Sequence, residues 1–266
     1  MKYFDSHAHF WDHKFSEDGE QLLDGLFATS VAGIINVGTS PLTCEIAIQQ
    51  AQKYPRMYTA LGIHPSDAAE LPDDPAPLVA QIREMLLAPN SKGVAVGEIG
   101  LDYYWEPYDQ EKQKRYFHAQ MRLAQELRLP VVIHDREAHG DCFDLVFQYP
   151  NVIGVFHSYS GSPEMALELV KRGWYISFSG TISFTNARKV KEVAKVLPHH
   201  RVLIETDAPY LTPHPHRGKR NDSGYLSYTC KALADVWEMA EDEVARITYR
   251  NAATLFGIPF EYGDEM

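Results

Sequence analysis

The sequence has 266 residues, of which 45% are hydrophobic and 23% are charged. This is the composition of an ordinary globular protein, and the length suits one α/β barrel of about 250 residues. The formal net charge of −11 argues against a protein that grips nucleic acid over a wide surface, because such binding neutralises phosphates with lysine and arginine. A small anionic substrate, or a nucleic-acid end held at a local site, remains compatible with this charge.

The chain carries no sign of a membrane or secreted protein. It has no run of about 18 apolar residues, and its first residues lack the apolar stretch of a signal peptide. Three scattered cysteines, Cys44, Cys142 and Cys230, form neither a disulfide framework nor a thiolate metal site. We therefore expect a cytoplasmic protein with reduced thiols, no membrane association and no obligate protein partner.

Short apolar, β-branched segments alternate with amphipathic segments along the chain. The predicted strands cover residues 2–9, 33–37, 57–63, 93–99, 130–134, 152–157, 175–179 and 202–207. The predicted helices cover residues 42–54, 76–87, 111–129, 141–149, 163–172 and 186–197, with two more within 225–256. This alternation is typical of βαβ units and a parallel sheet. Eight repeats predict a (β/α)8 TIM barrel, with residues 1–266 as a single domain; a doubly wound open sheet is the competing topology.

Histidines and acidic residues lie at or beside the carboxyl ends of most predicted strands. In chain order they are His7 and His9, His64, Glu98, His134, His157 and Asp207. Barrel enzymes build their sites at these strand ends, with groups supplied by several strands. His7 and His9 are two positions apart on a strand, so their imidazoles project to the same face and form a ready chelate. Asp5 and Glu205 share faces with these groups and are predicted to orient them.

Imidazole nitrogens and carboxylate oxygens without thiolates suit Zn²⁺, Mn²⁺ or Mg²⁺. Six candidate ligands exceed the three that one catalytic zinc needs, so we predict two divalent ions held by His7, His9, Glu98, His134, His157 and Asp207. Glu98 lies within an apolar strand, where an unpaired carboxylate is costly, and is the predicted bridge between the ions. Two divalent ions outweigh two carboxylates, which predicts a locally positive pocket suited to a phosphate or a developing oxyanion.

Two further segments are candidates for binding a substrate. The loop at 214–221 contains Arg217, Lys219 and Arg220, whose charges suit a phosphate backbone or leaving group. The second segment is Tyr103, Tyr104 and Trp105, which either stack on bases or pack under their own loop. The chain contains no glycine-rich nucleotide-binding motif.

Seven blocks together resemble the TatD-type metal-dependent deoxyribonucleases. They are Asp-Ser-His-Ala-His at 5–9, Gly-Ile-His-Pro at 62–65, Gly-Glu-Ile-Gly-Leu-Asp-Tyr-Tyr at 97–104, Pro-Val-Val-Ile-His at 130–134, His-Ser-Tyr-Ser-Gly at 157–161, Glu-Thr-Asp-Ala-Pro-Tyr-Leu at 205–211 and Arg-Gly-Lys-Arg-Asn at 217–221. The blocks run in family order over essentially the whole chain. The sequence departs from the family pattern at Ser158 and Tyr159, where cysteine and phenylalanine are common, and at 222–224, where Glu-Pro usually follows the basic loop.

The resemblance implies a TIM barrel of the amidohydrolase superfamily with exonuclease-like phosphodiesterase activity on DNA, single-stranded or bound at an end. It implies the same six metal ligands, with Glu98 bridging and His64 contacting a substrate phosphate. Asp207 and Glu98 are the expected catalytic residues, with Asp207 accepting or returning a proton. The alternative is a metal-dependent ester, lactone or amide hydrolase of the same superfamily; the basic loop favours phosphate.

Overall fold

The computed structural model describes residues 1–262, apart from the side chain of Ala69; residues 263–266 of the predicted single domain lie outside the described residues. In chain order the strands are β1 (Tyr3–Ala8), β2 (Val31–Val37), β3 (Met57–Leu61), β4 (Gly93–Asp102), β5 (Val131–Arg136), β6 (Gly154–Phe156), β7 (Tyr175–Phe178) and β8 (Val202–Ile204). The α-helices are α1 (Gly19–Ala28), α2 (Pro41–Lys53), α3 (Ala76–Leu87), α4 (Gln110–Leu127), α5 (His139–Val146), α6 (Pro163–Lys171), α7 (Arg188–Val196), α8 (Leu226–Trp237) and α9 (Glu241–Phe256).

The eight strands form one sheet whose order is the order of the chain, from β1 to β8. Neighbouring strands such as β4 and β5 pair in parallel. The segment after β8 returns to β1, because Ala8 and Ala208 form a parallel bridge and the Asp207 amide donates to the His7 carbonyl at 2.9 Å. A doubly wound sheet would reverse its strand order at a switch point. The predicted (β/α)8 barrel is confirmed.

The chain contains two compact units, one made of Met1–Asn36 with the chain from His157 onward and the other of Val37–Phe156. In the first, the ring of Phe4 on β1 stacks on Tyr249 of α9 with centroids 5.2 Å apart. In the second, α4 buries Tyr116 and Phe117 completely or nearly so. Burial of side chains this large contributes roughly 1.5–3 kcal/mol each. The single-domain organisation stays a prediction.

Three differences from the predicted elements are larger than a shift of one or two residues. Helix α1 (Gly19–Ala28) was not predicted, because Gly19 and Gly25 lower the helix propensity of a segment that nevertheless buries Leu23 and Leu26. Strand β4 continues to Asp102, past its predicted end at residue 99. Strand β8 ends at Ile204, so residues 205–207 follow the strand rather than complete it. Among residues 1–262, no helix combines the length and apolar character that crossing a bilayer requires.

Candidate metal centre

Three side chains converge on one point: His7 of β1, His9 directly after this strand, and Asp207 in the turn after β8. The Nε2 atoms of His7 and His9 lie 3.0 Å apart, and Asp207 Oδ1 lies 3.7 Å from the first and 3.3 Å from the second. Both histidines are buried. Asp207 has a backbone φ of +57°, a left-handed conformation that aspartate tolerates better than most residues. The two histidines therefore share one face of β1 as predicted, and the turn delivers a carboxylate to the same point.

Asp5 ties β1 to the turn that carries Asp207. Its Oδ1 accepts hydrogen bonds from the Thr206 amide at 3.0 Å and the His7 amide at 3.3 Å. Its Oδ2 accepts from the hydroxyls of Thr206 and Ser223, each at 2.6 Å. Burial raises the pKa of Asp5 to about 7, although these four donors lower it. The predicted role of Asp5 in orienting a histidine takes a different form here, because its contact with His7 is through the backbone amide.

His157 lies directly after β6 and is held by Glu205. The two groups approach at 3.1 Å, from His157 Nδ1 to Glu205 Oε1, and the His157 ring stacks on His7 with centroids 4.0 Å apart. Because a carboxylate at Nδ1 favours a proton there, Nε2 keeps the lone pair that binds a metal. Ser158, which follows, has a φ of +41°, and such strained conformations cluster at functional sites.

The neighbouring histidines lower the pKa of the Asp207 carboxyl. Burial by itself would raise its pKa, but the hydrogen bond from His9 and the charges of His7, His157 and His9 outweigh that effect and lower the pKa below its ordinary value. Asp207 is therefore an anion at neutral pH, which is the form that coordinates a divalent ion.

Glu205→Gln is expected to weaken metal binding by about 10- to 100-fold, the usual effect of removing a partner that orients a metal-binding histidine. Glutamine keeps the size of the side chain but removes the charge that holds the His157 proton on Nδ1. Titration of the metal-free variant against a chelating dye measures the change. Glu168→Gln on α6, whose carboxylate pairs with Arg172 on the surface, is the matched control. An unchanged affinity in Glu205→Gln would contradict this role.

A second group of donors lies in the other unit, on β4 and β5. The buried Glu98 places Oε1 at 2.7 Å from His134 Nδ1. The other nitrogen of His134, Nε2, lies 2.8 Å from Asp102 Oδ2. The sequence analysis missed this contact of Asp102, although Asp102 follows Glu98 by four residues in the same motif. Its contact with Nε2 favours a proton there and directs the Nδ1 lone pair toward Glu98.

Asp102 is an anion held by several donors. Burial by itself would raise the pKa of this carboxyl, but the bond from His134 and the backbone amides of Tyr104 and Trp105 lower it below its ordinary value. The two amides donate to Oδ1 at 2.9 and 3.3 Å. One carboxylate thus joins His134 to the loop that follows β4.

His64 completes this group from the end of β3. Its Nε2 lies 3.3 Å from Glu98 Oε1, and its ring meets His134 edge to face at 4.3 Å. The Ser66 amide donates to His64 Nδ1 at 3.1 Å, so the neutral ring carries its proton on Nε2. Burial lowers the pKa of His64 by more than Glu98 raises it, which favours this neutral form. His64 therefore presents an N–H donor, suited to an anionic oxygen.

Two buried glutamines of α4 fix the strand ends that carry these groups. Gln120 accepts from the Ile63 amide at 2.7 Å and donates to the Ile63 carbonyl at 3.0 Å. Gln113 does the same for Asp102, at 2.9 and 2.8 Å. Each glutamine replaces the hydrogen bonds that an extended backbone lacks when its strand ends. Neither was predicted, because on an amphipathic helix a polar side chain is expected to face water.

Two observations test whether these residues fit a metal ion. A divalent ion with bonds of about 2.0–2.1 Å separates its ligand atoms by about 2.9 Å at right angles and about 3.4 Å at tetrahedral angles. The separations among His7, His9 and Asp207 span 3.0–3.7 Å. In addition, Glu205 Oε2 is buried with no hydrogen-bond partner among the described residues. Within the first unit, His7, His157 and Glu205 also have donor atoms close enough to one another to hold an ion. The residues fit.

The predicted substrate residues lie in different surroundings. Arg217 and Lys219 are exposed, and the Arg217 guanidinium lies 4.2 Å from the centre of the Phe184 ring. Arg220 forms a bidentate pair with Asp18 at 2.6 and 2.8 Å, so it anchors the loop to the segment before α1. The Tyr103 hydroxyl donates to Asp141 at 2.7 Å, and its ring stacks on Tyr108. The substrate roles of all four stay predictions.

Comparison with known proteins identifies the family. The family model described as TatD-related DNase matches residues 4–257. The chain belongs to the TatD family. Among TatD-family relatives, it is 40% identical to a protein named uncharacterized metal-dependent hydrolase YabD from Bacillus subtilis, over 96% of this chain and 99% of that one. It is 31% identical to the 3′-5′ ssDNA/RNA exonuclease TatD of Salmonella typhimurium, over 97% and 100%.

A solved TatD-family structure shares this fold. The crystal structure of YjjV, a TatD homologue from Escherichia coli K12, superposes with a TM-score of 0.90 at 30% identity, covering 97% of this chain and 98% of that chain. The predicted TatD resemblance is confirmed. This TatD-family protein is a metal-dependent hydrolase of ester bonds on a TIM-barrel fold.

Proposed function

We propose that this TatD-family hydrolase is a two-metal nuclease that removes nucleotides from the ends of single-stranded DNA in the cytoplasm. One observation carries the proposal: the buried nitrogens of His7 and His9 converge with Asp207 Oδ1 at the spacing of ligands around one divalent ion. Imidazole nitrogens and a carboxylate oxygen at this spacing are the donors that a divalent cation such as Zn²⁺ takes.

The two groups of donors give each ion its ligands. His7, His9, His157 and Asp207 would hold one ion, and Glu98 and His134 would hold the other. The nitrogen-rich donors of the first group favour Zn²⁺ or Mn²⁺, while Mg²⁺ suits sites richer in oxygen and water. When bound, divalent ions lower the pKa of a coordinated water and neutralise charge on a phosphate.

The protein's own residues bind and orient the substrate. His64 donates Nε2–H to a phosphate oxygen, in keeping with the Ser66 bond that fixes its proton. Asp207, an anion at neutral pH, accepts a proton during attack or returns one. Arg217 and Lys219 are exposed on the loop after Asp207 and attract the phosphate backbone. Arg220 holds that loop in place through Asp18.

The choice of single-stranded nucleic acid ends rests on the relatives. The Salmonella relative is named as a 3′-5′ exonuclease of single-stranded DNA and RNA, and the similarity covers nearly all of both chains. The acidic character of this protein, with a net charge of −11, also favours a local grip on a strand end over a wide duplex interface.

Assay of the metal-loaded protein on end-labelled single-stranded DNA, duplex DNA and RNA tests the proposal. A panel of lactones and carboxylic esters is assayed in parallel, each with and without chelator. We expect progressive shortening of the single strand that stops on chelation. Turnover of a lactone or ester together with no metal-dependent shortening of any nucleic acid would contradict the proposal and favour the superfamily's other hydrolase chemistry.

A further inference from the structure

The loop after β4 presents an exposed aromatic surface. Tyr104 is 50% exposed and Trp105 is 58% exposed, and their rings meet edge to face at 4.9 Å. The other aromatic residues of the loop, Tyr103 and Tyr108, stack on each other instead. Two neighbouring exposed rings offer a large apolar surface to a ligand, because an aromatic side chain buries 150–250 Å² when it packs. Of the two roles predicted for this segment, packing under the loop therefore does not apply to Tyr104 and Trp105.

Arg136 at the end of β5 holds these rings in place. Its guanidinium carbon lies 3.8 Å from the centre of the Tyr104 ring and 5.2 Å from that of Trp105. The backbone of Arg136 lies opposite that of Asp102 in the register of β4 and β5. The Arg136 carbonyl accepts a hydrogen bond from the Tyr103 amide at 2.9 Å. A cation stacked on an aromatic face is attracted to it. This contact stabilises the two rings in the position that they take here.

The same loop is joined directly to the Glu98 group. Asp102 accepts from the amides of Tyr104 and Trp105 with one oxygen and contacts His134 Nε2 with the other. Gln113 of α4 fixes the Asp102 backbone. The Asp102 carboxylate therefore links the backbone of the aromatic loop to His134.

We infer that Tyr104, Trp105 and Arg136 form a stacking platform for an unpaired base of a single-stranded nucleic acid. The inference rests on the proposed nuclease function and names how the substrate is held. The ring of Trp105 offers the stacking surface, and Tyr104 with Arg136 supports it. Stacking of this kind tolerates any base, because every base has an aromatic face.

Local charge favours a base over a phosphate at this platform. Glu106 follows Trp105 and Glu137 follows Arg136, and both are exposed. Their negative charges offset the positive charge of Arg136, so the platform has no net positive charge to select a phosphate, whereas a neutral base needs none. A base in a duplex is already stacked on both faces, so the platform selects single strands.

Binding of two matched oligonucleotides tests the platform. The metal-loaded protein is titrated into fluorescein-labelled octathymidylate with phosphorothioate linkages, and into an abasic octamer with the same linkages. We expect tighter binding of the base-bearing strand. Trp105→Ala should weaken that binding by about five- to 150-fold, the range measured for base–aromatic stacking, and leave the abasic strand unaffected. Trp105→Phe should retain most of the preference.

Ile153→Ala, at an exposed apolar residue just before β6, is the control and should bind both strands as the wild type does. The salt dependence of binding should stay the same in Trp105→Ala, since no charge is removed. Equal binding of the two octamers by the wild type, or an unchanged preference in Trp105→Ala, would overturn the platform. Preference for the base-bearing strand without cleavage of ordinary DNA or RNA would support the platform and refute the nuclease function alone.

Discussion

Asp207→Asn is expected to lower the rate of hydrolysis by more than about 100-fold, because loss of a direct ligand exceeds the 10- to 100-fold effect of losing an outer partner. Asparagine removes the negative charge that the His7 and His9 nitrogens face, and its amide is a poor ligand. Asparagine also tolerates the φ of +57° at this position, so the turn keeps its shape. The loss therefore reports on charge and coordination rather than on folding.

Steady-state assays of Asp207→Asn with single-stranded DNA measure this loss, together with the metal content of the purified variant. Asp235→Asn on α8, an exposed aspartate, is the control and should behave as the wild type. Full activity in Asp207→Asn would remove Asp207 from the catalytic site.

Glu98→Gln is expected to abolish activity and to reduce the number of bound ions from two to one. The buried carboxylate lies 2.7 Å from His134 Nδ1 and 3.3 Å from His64 Nε2, and the neutral amide of glutamine is a poor metal ligand. The Glu98→Gln substitution removes a negative charge from the site and keeps the volume of the side chain nearly the same.

Mass spectrometry of the intact Glu98→Gln protein counts the ions, and the DNA assay gives the activity. Glu126→Gln, at an exposed glutamate that pairs with Arg83, is the matched control. Retained turnover with two bound ions would refute the role of Glu98 as a metal ligand.

The fold was largely readable from the sequence because its pattern is repetitive. Each β-branched run followed by an amphipathic segment marks a βα unit, and the acidic first turn of α9 and Gly257 at its end mark a helix. Helix α1 was not predicted because two glycines interrupt its helical sequence pattern. The burial of Leu23 and Leu26 in the folded protein stabilises this helix. The chain order of the sheet required the structure.

The six predicted ligands came from the position of polar residues at strand ends. The residues that hold them were harder to predict, since Asp102, Gln113 and Gln120 act through contacts between distant segments. Glu205 was predicted from its place on the face of Asp207, and it contacts His157. The predicted aromatic candidate, Tyr103, is bound to Asp141, while its neighbours Tyr104 and Trp105 are exposed.

Asp102 and Glu205 also change the predicted charge of the site. Counting only two ligand carboxylates gives a pocket that is clearly positive with two divalent ions. Two further buried carboxylates lie against His134 and His157 and offset much of that charge. Preference for phosphate therefore depends on directed donors such as His64 Nε2, and on the exposed Arg217 and Lys219, more than on the net charge of the pocket.

Stepwise removal of metal from the wild-type protein, followed by mass spectrometry of the intact chain and by cleavage of single-stranded DNA, tests the two-metal nuclease most directly. We expect two divalent ions per chain, loss of cleavage as they are withdrawn, and recovery when Zn²⁺, Mn²⁺ or Mg²⁺ is restored. Full cleavage by protein that carries no ion, or that carries only one, would contradict the two-metal site.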